Sequence, residues 1–338
     1  MKVQFINANQ AAGMIQDGSN VGLIGGGSGL VEATLLHEYI EKRFLDTGTP
    51  KELTCIHALG IGDREDRGMN RFAHKGMVRR VIGGHWVWSP KMQQLARENS
   101  IEAYVLPGGV IMQLMREVAA KRPGLITHVG LGTFVDPLQD GGRMNEAAVD
   151  PLVERITIDG KDYLRYLPIP IDVALLKGSY ADEEGNISLD EEPANLDIYA
   201  MAAAAHNSGG KVIFQVRKKV AAGSIPARSV RIPSAIVDAV VVDPEQRQSY
   251  EIIYDPSISG ERRNETLQPD FPEFSLRLVI ARRAYQELKE GSVINYGFGI
   301  PDQVANIVAA EERQDSYYQT IEHGTYGGSL LSGNLFGF

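Results

Sequence analysis

The fold is decided by the stretch Asp17-Gly18-Ser19-Asn20-Val21-Gly22-Leu23-Ile24-Gly25, which predicts an acidic turn, a buried strand at 21–25 and a glycine loop. Residues 31–44 follow with apolar side chains four apart, the spacing of one helical face. Further apolar runs typical of buried strands alternate with amphipathic stretches; they are residues 53–59, 102–106, 125–129, 173–176, 212–216 and 237–242. Strands that alternate with helices predict βαβ units, and therefore an α/β fold with a mostly parallel sheet.

The same pattern begins again in Glu290-Gly291-Ser292-Val293-Ile294-Asn295-Tyr296-Gly297-Phe298-Gly299. Apolar periodicity predicts helices at 276–288 and 302–312 on either side of it. A match of this length can arise by chance. If the two stretches are instead copies of one repeated unit, they predict two similar open α/β lobes with mostly parallel sheets. The first lobe would span residues 1–245 and the second 274–338, joined by a linker at 246–273 that is rich in Pro, Ser, Asp, Glu and Arg.

The second lobe is predicted to contain two helices and only two strands, at 292–296 and 317–321. A pair of parallel strands cannot bury both of its apolar faces or cover its hydrogen-bonding edges. We therefore expect the second lobe to be incomplete in this chain and to need another surface to pack against.

The composition narrows the class of protein. The 338 residues are 43% hydrophobic, enough for a large core, and the net charge of −9 argues against a nucleic-acid partner, which needs a basic face. We expect a cytoplasmic protein without a membrane partner, since no apolar run has the length of a membrane span or of a signal peptide. The seven histidines lack the spacing of a zinc motif, so we expect no metal site, and the single cysteine, Cys55, is expected in the core.

The segment most suggestive of chemistry is Thr320-Ile321-Glu322-His323-Gly324-Thr325-Tyr326-Gly327-Gly328. It places Glu322 at the C-terminal end of a predicted strand, where open α/β sheets bind ligands. The glycines after it allow close approach of backbone or substrate. A solvated glutamate in an ordinary loop is the alternative.

Three glycine loops follow predicted strands. Gly25-Gly26-Gly27-Ser28-Gly29 fits neither the dinucleotide fingerprint nor the phosphate loop, so a tight turn without a ligand and a ligand loop are both compatible with it. The others are Gly130-Leu131-Gly132-Thr133 and Gly297-Phe298-Gly299. If these loops converge with Glu322 on one crevice, their backbone N–H groups would face an anion or oxyanion.

Nine short motifs occur in a characteristic order along the whole chain. They are Gly62-Asp63-Arg64 with Asp66-Arg67-Gly68, Gly83-Gly84-His85-Trp86, Gly132-Thr133-Phe134-Val135-Asp136-Pro137 with Gly141-Gly142 and Asn145, Tyr180-Ala181-Asp182-Glu183 with Gly185-Asn186, His206-Asn207-Ser208-Gly209-Gly210, Val230-Arg231-Ile232-Pro233 with Val237-Asp238, Arg282-Arg283-Ala284, Gly297-Phe298-Gly299-Ile300-Pro301, and Glu322-His323-Gly324 with Gly327-Gly328. Together they closely resemble the family I CoA-transferases, specifically the acetate/propionate branch that carries both lobes on one chain.

The resemblance implies transfer of CoA from a short-chain acyl-CoA (acetyl-, propionyl-, butyryl- or 3-ketoacyl-CoA) to a free carboxylate such as acetate, with CoA as a substrate and no cofactor. Glu322 matches the nucleophile, which would carry a glutamyl-CoA thioester, and the backbone N–H of Phe298 matches one of two oxyanion donors. Positions expected to bind substrate or CoA are Gly25, Gly26, Gly27, Gly132, Thr133, Gly297, Gly299, Gly324, Gly327 and Gly328. We also expect a homo-oligomer, a dimer or tetramer.

The chain departs from the family pattern in two ways. Pro107-Gly108-Gly109 stands where the family commonly has Pro-Gln-Gly, so a side chain that lines the acyl site is absent. The family also continues well beyond Phe338, and the continuation supplies the second oxyanion donor. The resemblance therefore leaves two alternatives to transfer: acyl-CoA hydrolysis, and an inactive module for CoA binding or oligomerisation.

Three polar residues within the motifs are expected to be structural rather than catalytic. Asp136, Asn145 and Asn186 lie beside glycines or turns, where short polar side chains bond to backbone groups.

Overall fold

The computed structural model describes residues 2–263, 273–328, 330–331 and 333–337, and it confirms the predicted α/β fold. The chain divides into two compact units, Met1–Tyr254 and Asp255–Phe338. Among the described residues, every helix is too short or too polar to cross a lipid bilayer.

The described residues form fifteen strands and seven α-helices. The strands are β1 (Gln4–Ile6), β2 (Asn20–Leu23), β3 (Leu53–His57), β4 (Val78–Gly83), β5 (Glu102–Val105), β6 (Leu125–Thr127), β7 (Val153–Ile158), β8 (Lys161–Tyr166), β9 (Val173–Asp182), β10 (Ile187–Ser188), β11 (Lys211–Val220), β12 (Val230–Ile232), β13 (Ala239–Val242), β14 (Val293–Tyr296) and β15 (Tyr318–Ile321). The helices are α1 (Ala8–Gly13), α2 (Thr34–Thr47), α3 (Pro90–Arg97), α4 (Gly108–Ala119), α5 (Ile198–Asn207), α6 (Leu276–Tyr285) and α7 (Asp302–Ala310).

A ten-stranded sheet forms the centre of the first unit. Eight strands lie in the order β1-β13-β11-β9-β2-β3-β4-β5, and each neighbouring pair is parallel. The short strand β10 pairs antiparallel with β9 and β12. Cys55 lies fully buried in β3, as predicted, and burial raises the pKa of its thiol to about 12. The thiol is therefore a core group and not a nucleophile.

The apolar run at 125–129 does not join this sheet, and the prediction of a buried strand there was wrong. β6 pairs with β8 in a separate antiparallel sheet, in the order β6-β8-β7. Leu125 is buried, but Ile126 and Val129 are 44% and 43% exposed. A strand with one solvated face should alternate apolar and polar residues. β6 is too short to show this alternation, so its sequence looks like a continuous apolar run.

Residues 246–254, which the sequence assigned to a linker, pack within the first unit. The side-chain amide of Gln246 donates to the carbonyl of Gly178 (2.7 Å), and that of Gln248 donates to the carbonyl of Glu191 (2.7 Å). Polar composition predicted a solvated segment, but these amides instead satisfy buried backbone carbonyls. Residues 264–272 of the predicted linker lie outside the described residues.

The second unit is built on the parallel pair β14–β15, the only strands among its described residues. The N-terminus of α6 is capped by Ser275, whose hydroxyl accepts from the N–H of Leu278 (3.1 Å). Helices α6 and α7 and the strand pair share a small apolar core; its buried residues are Leu278, Ala281, Tyr296, Val304, Ala305, Ile307, Ile321 and Phe336.

Each unit contains the same order of elements, so the structure contains the repeat that the two acidic turns predict. The order is helix, strand, glycine loop, helix, strand: α1-β2-α2-β3 in the first unit and α6-β14-α7-β15 in the second. Within each unit the two strands pair in parallel.

The strand registers establish which residues correspond between the two units. β2 begins at Asn20 and β14 at Val293, each directly after the serine of its acidic turn. The β3 partner of Asn20 lies four residues before Ala58, and the β15 partner of Val293 lies four residues before Glu322. Ala58 of the first unit therefore corresponds to Glu322 of the second.

Candidate active site

β15 ends at Ile321, and the following residues form a tight turn that carries Glu322. The N–H of Gly324 donates to the carbonyl of Ile321 (3.0 Å), and the N–H of Ile321 donates to the carbonyl of Thr325 (3.2 Å). Gly324 has a φ of 86°, a left-handed conformation that favours glycine. The side chain of Glu322 is 53% exposed, so the turn presents a carboxylate at the C-terminal end of a parallel strand.

His323 lies beside this carboxylate. Its Nε2 is 3.8 Å from Oε1 of Glu322, and its side chain is only 8% exposed. A side chain at Gly337 would overlap the imidazole, so the ring rests against the Gly337 backbone.

The Gly297-Phe298-Gly299 loop leaves the same end of the two-stranded sheet. Tyr296, the last residue of β14, is paired with Ile321, the last residue of β15, so the loop and the Glu322 turn begin side by side. The Phe298 ring packs edge-on against Phe336, with centroids 5.7 Å apart. The structure thus brings the predicted nucleophile and the predicted oxyanion loop to one edge of the second unit.

Asp302, the first residue of α7, lies against this loop. Its side chain is buried, with 5% of the residue exposed. Burial raises the pKa of Asp302 above its ordinary value, while nearby backbone amides and the positive charge of Arg277 oppose that shift. Sequence reasoning missed this residue, although an acid directly after Gly-Phe-Gly-Ile-Pro in the first turn of a helix is a recognisable signal.

Gly327 and Gly328 follow the Glu322 turn and line a cavity of about 50 Å³. The N–H of Gly327 donates to the carbonyl of Gln319 (2.9 Å), which holds the segment beside β15. Tyr296 and Gln319 also line the cavity. The Tyr296 hydroxyl donates to Oε1 of Gln319 (2.9 Å). The cavity is therefore formed within the second unit, next to the turn that carries Glu322.

In the loop at Gly25-Gly26-Gly27-Ser28-Gly29, two backbone N–H groups donate to backbone carbonyls of the same unit. The N–H of Gly26 donates to the carbonyl of Leu30 (2.9 Å), and that of Ser28 donates to the carbonyl of Gly62 (3.0 Å). A Cβ at Gly27 would overlap the indole of Trp88, so close packing accounts for the glycine. These contacts favour the tight turn of the two alternatives that the sequence left open.

Gly132 and Thr133 lie in a loop organised by Asp136. The N–H of Gly132 donates to the Asp136 carboxylate (2.8 Å), and the Thr133 hydroxyl donates to the carbonyl of Gly130 (2.8 Å). Asp136 is fully buried, and the backbone N–H groups of Gly132 and Leu138 lower the pKa of its carboxyl, with a further contribution from an arginine. The predicted bonds from the Asp136 side chain to the backbone are present.

Asn145 and Asn186 also bond to the backbone. The Asn145 amide nitrogen donates to the carbonyls of Ala96 and Ile101, both at 2.8 Å, and its oxygen accepts from the N–H of Ala103. The Asn186 oxygen accepts from the N–H of Ser234 (3.0 Å). Both asparagines therefore tie together segments that are distant in sequence, as expected of structural residues.

Gly108 stands at the first position of α4, where the helix approaches β3. A Cβ there would lie 2.8 Å from the carbonyl oxygen of Ala58, closer than side-chain carbons ordinarily come. The close contact between α4 and the Ala58 carbonyl therefore explains the glycine, and a glutamine at this position would require α4 to shift.

The predicted site residues fall into one group per unit. The second unit holds Glu322, Phe298, Gly297, Gly299, Gly324, Gly327 and Gly328, all on or beside the β14–β15 pair. The first unit holds Gly25, Gly26 and Gly27 after β2, and Gly132 and Thr133 after β6.

Comparison with known proteins identifies related sequences along almost the whole chain. Residues 5–243 match the family model described as coenzyme A transferase. Acetate CoA-transferase YdiF of Escherichia coli K12 is 38% identical over 345 residues, which cover 99% of this chain and 64% of that protein. Caffeate CoA-transferase of Acetobacterium woodii is 40% identical over 338 residues, with the same coverage of 99% and 64%.

Structural comparison gives a consistent result. A crystal structure of acyl-CoA transferase YdiF from Escherichia coli O157:H7, a thioester complex with CoA, matches with a TM-score of 0.92 and 38% identity. The match covers 97% of this chain and 66% of that one. The chain thus spans about 64% of the length of the two relatives found by sequence.

Proposed function

The chain belongs to the coenzyme A transferase family, and from this premise we propose that it transfers CoA from a short-chain acyl-CoA to a free carboxylate such as acetate, with Glu322 as the nucleophile. The proposal rests on the exposed Glu322 carboxylate at the end of β15, beside the Gly297–Gly299 loop. It is supported by relatives named for acetate and caffeate CoA transfer and by one described as a thioester complex with CoA.

The proposed reaction proceeds by two exchanges at carbonyl carbon. The Glu322 carboxylate attacks the acyl thioester, the C–S bond breaks, and CoA leaves as a thiolate with an acyl-glutamyl anhydride left on the enzyme. The thiolate then attacks the glutamyl carbonyl and expels the first acid as a carboxylate, which leaves glutamyl-CoA. A second carboxylate attacks this thioester, and the same steps in reverse release the new acyl-CoA and restore Glu322.

Both exchanges pass through tetrahedral oxyanions, which need hydrogen-bond donors. The N–H of Phe298 is the donor that we assign, because its loop leaves the sheet beside the Glu322 turn. The imidazole Nε2 of His323 lies 3.8 Å from the Glu322 carboxylate, so His323 borders the proposed reaction centre.

Hydrolysis is the second candidate, and the 53% exposure of Glu322 favours it, since water could reach a glutamyl-CoA thioester at an exposed position. Consumption of acyl-CoA separates the two reactions. A transferase consumes acetyl-CoA or propionyl-CoA in proportion to added acceptor acid, whereas a hydrolase consumes it equally without one.

The proposed function predicts a covalent CoA adduct on Glu322. Incubation of the full chain with propionyl-CoA should add the mass of CoA, less water, to the intact protein, and hydroxylamine or borohydride should remove it. Glu322→Ala should form no adduct, because it lacks the carbonyl that accepts CoA. The matched control is Glu287→Ala, which removes a glutamate that is 68% exposed in the same unit and should leave the adduct intact. An adduct that persists in Glu322→Ala would show that the nucleophile lies elsewhere.

A further inference from the structure

A cavity of about 560 Å³ lies beside β5, the last strand of the large sheet in the first unit. Its lining comes mainly from the loop after β4, from α3, from β5 and from residues 144–146. Small-molecule sites are commonly clefts of about 300–1,000 Å³ with largely apolar walls and a few polar groups. The cavity therefore has the size of a small-molecule site.

Hydrogen bonds tie the walls of this cavity to one another. The N–H of Met144 donates to the carbonyl of Ala103 in β5 (2.9 Å). The side-chain amide of Gln93 in α3 donates to the carbonyl of Trp86 (2.6 Å), in the loop after β4. The side-chain amide of Asn145 donates to a backbone carbonyl of α3 (2.8 Å). Because the walls are held in place without a ligand, binding loses little free energy to ordering them.

Two apolar side chains of the lining are exposed to water. Val87, in the loop after β4, and Met144 are each 56% exposed. Trp86 also lines the cavity, but it is only 9% exposed, so most of its indole is already buried. Apolar surface that is removed from water contributes about 25 cal/mol per Å². A ligand with an apolar body would gain this free energy by covering Val87 and Met144.

Arg97, the last residue of α3, places a positive charge at the same cavity. Its guanidinium donates a long hydrogen bond to Oε1 of Gln93 (3.4 Å), and among the described residues no carboxylate forms an ion pair with it. Glu146, the acid of the lining, is exposed and keeps its charge in contact with water. An arginine can bind a carboxylate through two parallel N–H donors. The lining thus combines an apolar wall with a cation that suits a carboxylate.

We propose that this cavity is a binding site of the first unit for a carboxylic acid with an apolar body. The carboxylate binds the Arg97 guanidinium, and the apolar body packs on Val87 and Met144. This inference goes beyond the proposed function, because the binding needs neither Glu322 nor CoA. The ligand belongs to the same chemical class as the acids of the proposed reaction, so the site would add a contact that selects among them.

Fluorine NMR tests the binding without catalysis. The full chain is labelled with fluorotryptophan and titrated with phenylacetate, and the neutral phenylacetamide serves as the matched ligand. Trp86 lines the cavity and Trp88 does not, so the acid should shift the Trp86 resonance, which is the one that remains in Trp88→Phe. The amide should bind about tenfold more weakly, because it lacks the charge that Arg97 recognises.

Substitutions separate the two parts of the site. Arg97→Gln should weaken phenylacetate binding by about tenfold and leave phenylacetamide binding nearly unchanged, whereas Arg97→Lys should retain most of the preference for the acid. Val87→Ser should weaken both ligands, since it removes apolar contact. The control is Arg228→Gln, which removes an exposed arginine of the same unit and should change neither affinity.

Three results would overturn the proposal: equal affinity of the wild-type chain for the acid and the amide, unchanged affinity for the acid in Arg97→Gln, and no shift of the Trp86 resonance up to about 10 mM acid. The titration is repeated in Glu322→Ala, where the acid should bind as in the wild type. Loss of binding there would assign the acid to Glu322 and refute a separate site. Absence of a CoA adduct in the wild type contradicts the proposed function alone, so the two failures are distinguishable.

Discussion

The two copies of the helix–strand–loop–helix–strand pattern have the same order of elements but differ in how their loops are packed. In the first unit, the loop amides bond to backbone carbonyls, Gly27 lies against Trp88, and the residue after β3 is the buried Ala58. In the second, the residue after β15 is the exposed Glu322. The comparison indicates that one copy is packed as part of a large core, while the other presents an exposed carboxylate at the end of its strand.

Exchange of the corresponding residues should give the largest effect on stability. Ala58→Glu would place a carboxylate at a position that is 6% exposed, and we expect it to lower the free energy of unfolding by about 3 kcal/mol or more. Glu322→Ala should change it by less than about 0.5 kcal/mol, because the side chain is half exposed. Denaturant titration followed by tryptophan fluorescence measures the first change selectively, since both tryptophans, Trp86 and Trp88, lie in the first unit.

The control for Ala58→Glu is Ala227→Glu, at an exposed position of the same unit. It adds the same charge without burying it and should be nearly neutral. Equal destabilisation by the two variants would mean that added charge, and not burial at the end of β3, determines the result.

The glycine loops should respond differently to one added methyl group. Gly27→Ala forces a Cβ into the Trp88 indole and should cost about 1–3 kcal/mol of unfolding free energy. Gly297→Ala should cost less than about 0.5 kcal/mol, since the nearest atom that its Cβ meets is 3.9 Å away, on Pro301. Unfolding monitored by circular dichroism covers both units. If both variants lost the same unfolding free energy, the two loops would not differ in how tightly they are packed.

The smallest expected difference is one of pH dependence. His57, the last residue of β3, corresponds to the apolar Ile321 of β15, and burial lowers the pKa of His57 to about 4, with a minor contribution from His85. Because the folded pKa lies below the unfolded value of about 6.5, the unfolded chain binds the proton more readily between these values. The contribution of neutral His57 to the free energy of unfolding is therefore complete above pH 6.5 and is lost as the pH falls towards 4.

When unfolding is followed by tryptophan fluorescence, the free energy of unfolding should fall by roughly 1 kcal/mol between pH 7 and pH 5.5 because of His57 alone. In His57→Gln this part of the pH dependence should disappear, even though the variant is less stable overall. The same slope in His57→Gln as in the wild type would assign the pH dependence to other groups.

The sequence predicted the fold best where strands are apolar throughout. The strands β2, β3, β11 and β13 coincide with apolar runs, whereas β4 contains Arg79 and Arg80 and was missed. Both arginines pair with Glu102 on the neighbouring strand β5, so their charges are compensated across the sheet. Such compensation depends on which strands are neighbours, and a local pattern of residues does not contain that information.

The same limit applies to the candidate site. Glu322 and the Gly297–Gly299 loop were predicted because a carboxylate between a strand and a glycine turn is a local signal. The burial of Asp302 was not predictable, because it depends on how the start of α7 packs within the second unit. The internal bonds of the Gly25–Gly29 loop depend on Gly62, which lies far along the chain.

The pairing of β1 with β13 has a consequence for how the protein is made. Gln4 pairs with Ala239, so the edge of the large sheet joins segments that are separated by most of the first unit. At ordinary rates of translation, the ribosome needs on the order of ten to fifty seconds to reach the second segment after making the first. During that time the N-terminal strand has no sheet partner, and contacts of such wide sequence separation form slowly. The nascent chain therefore holds an unpaired strand at its N-terminus until the last strand of the first unit has emerged.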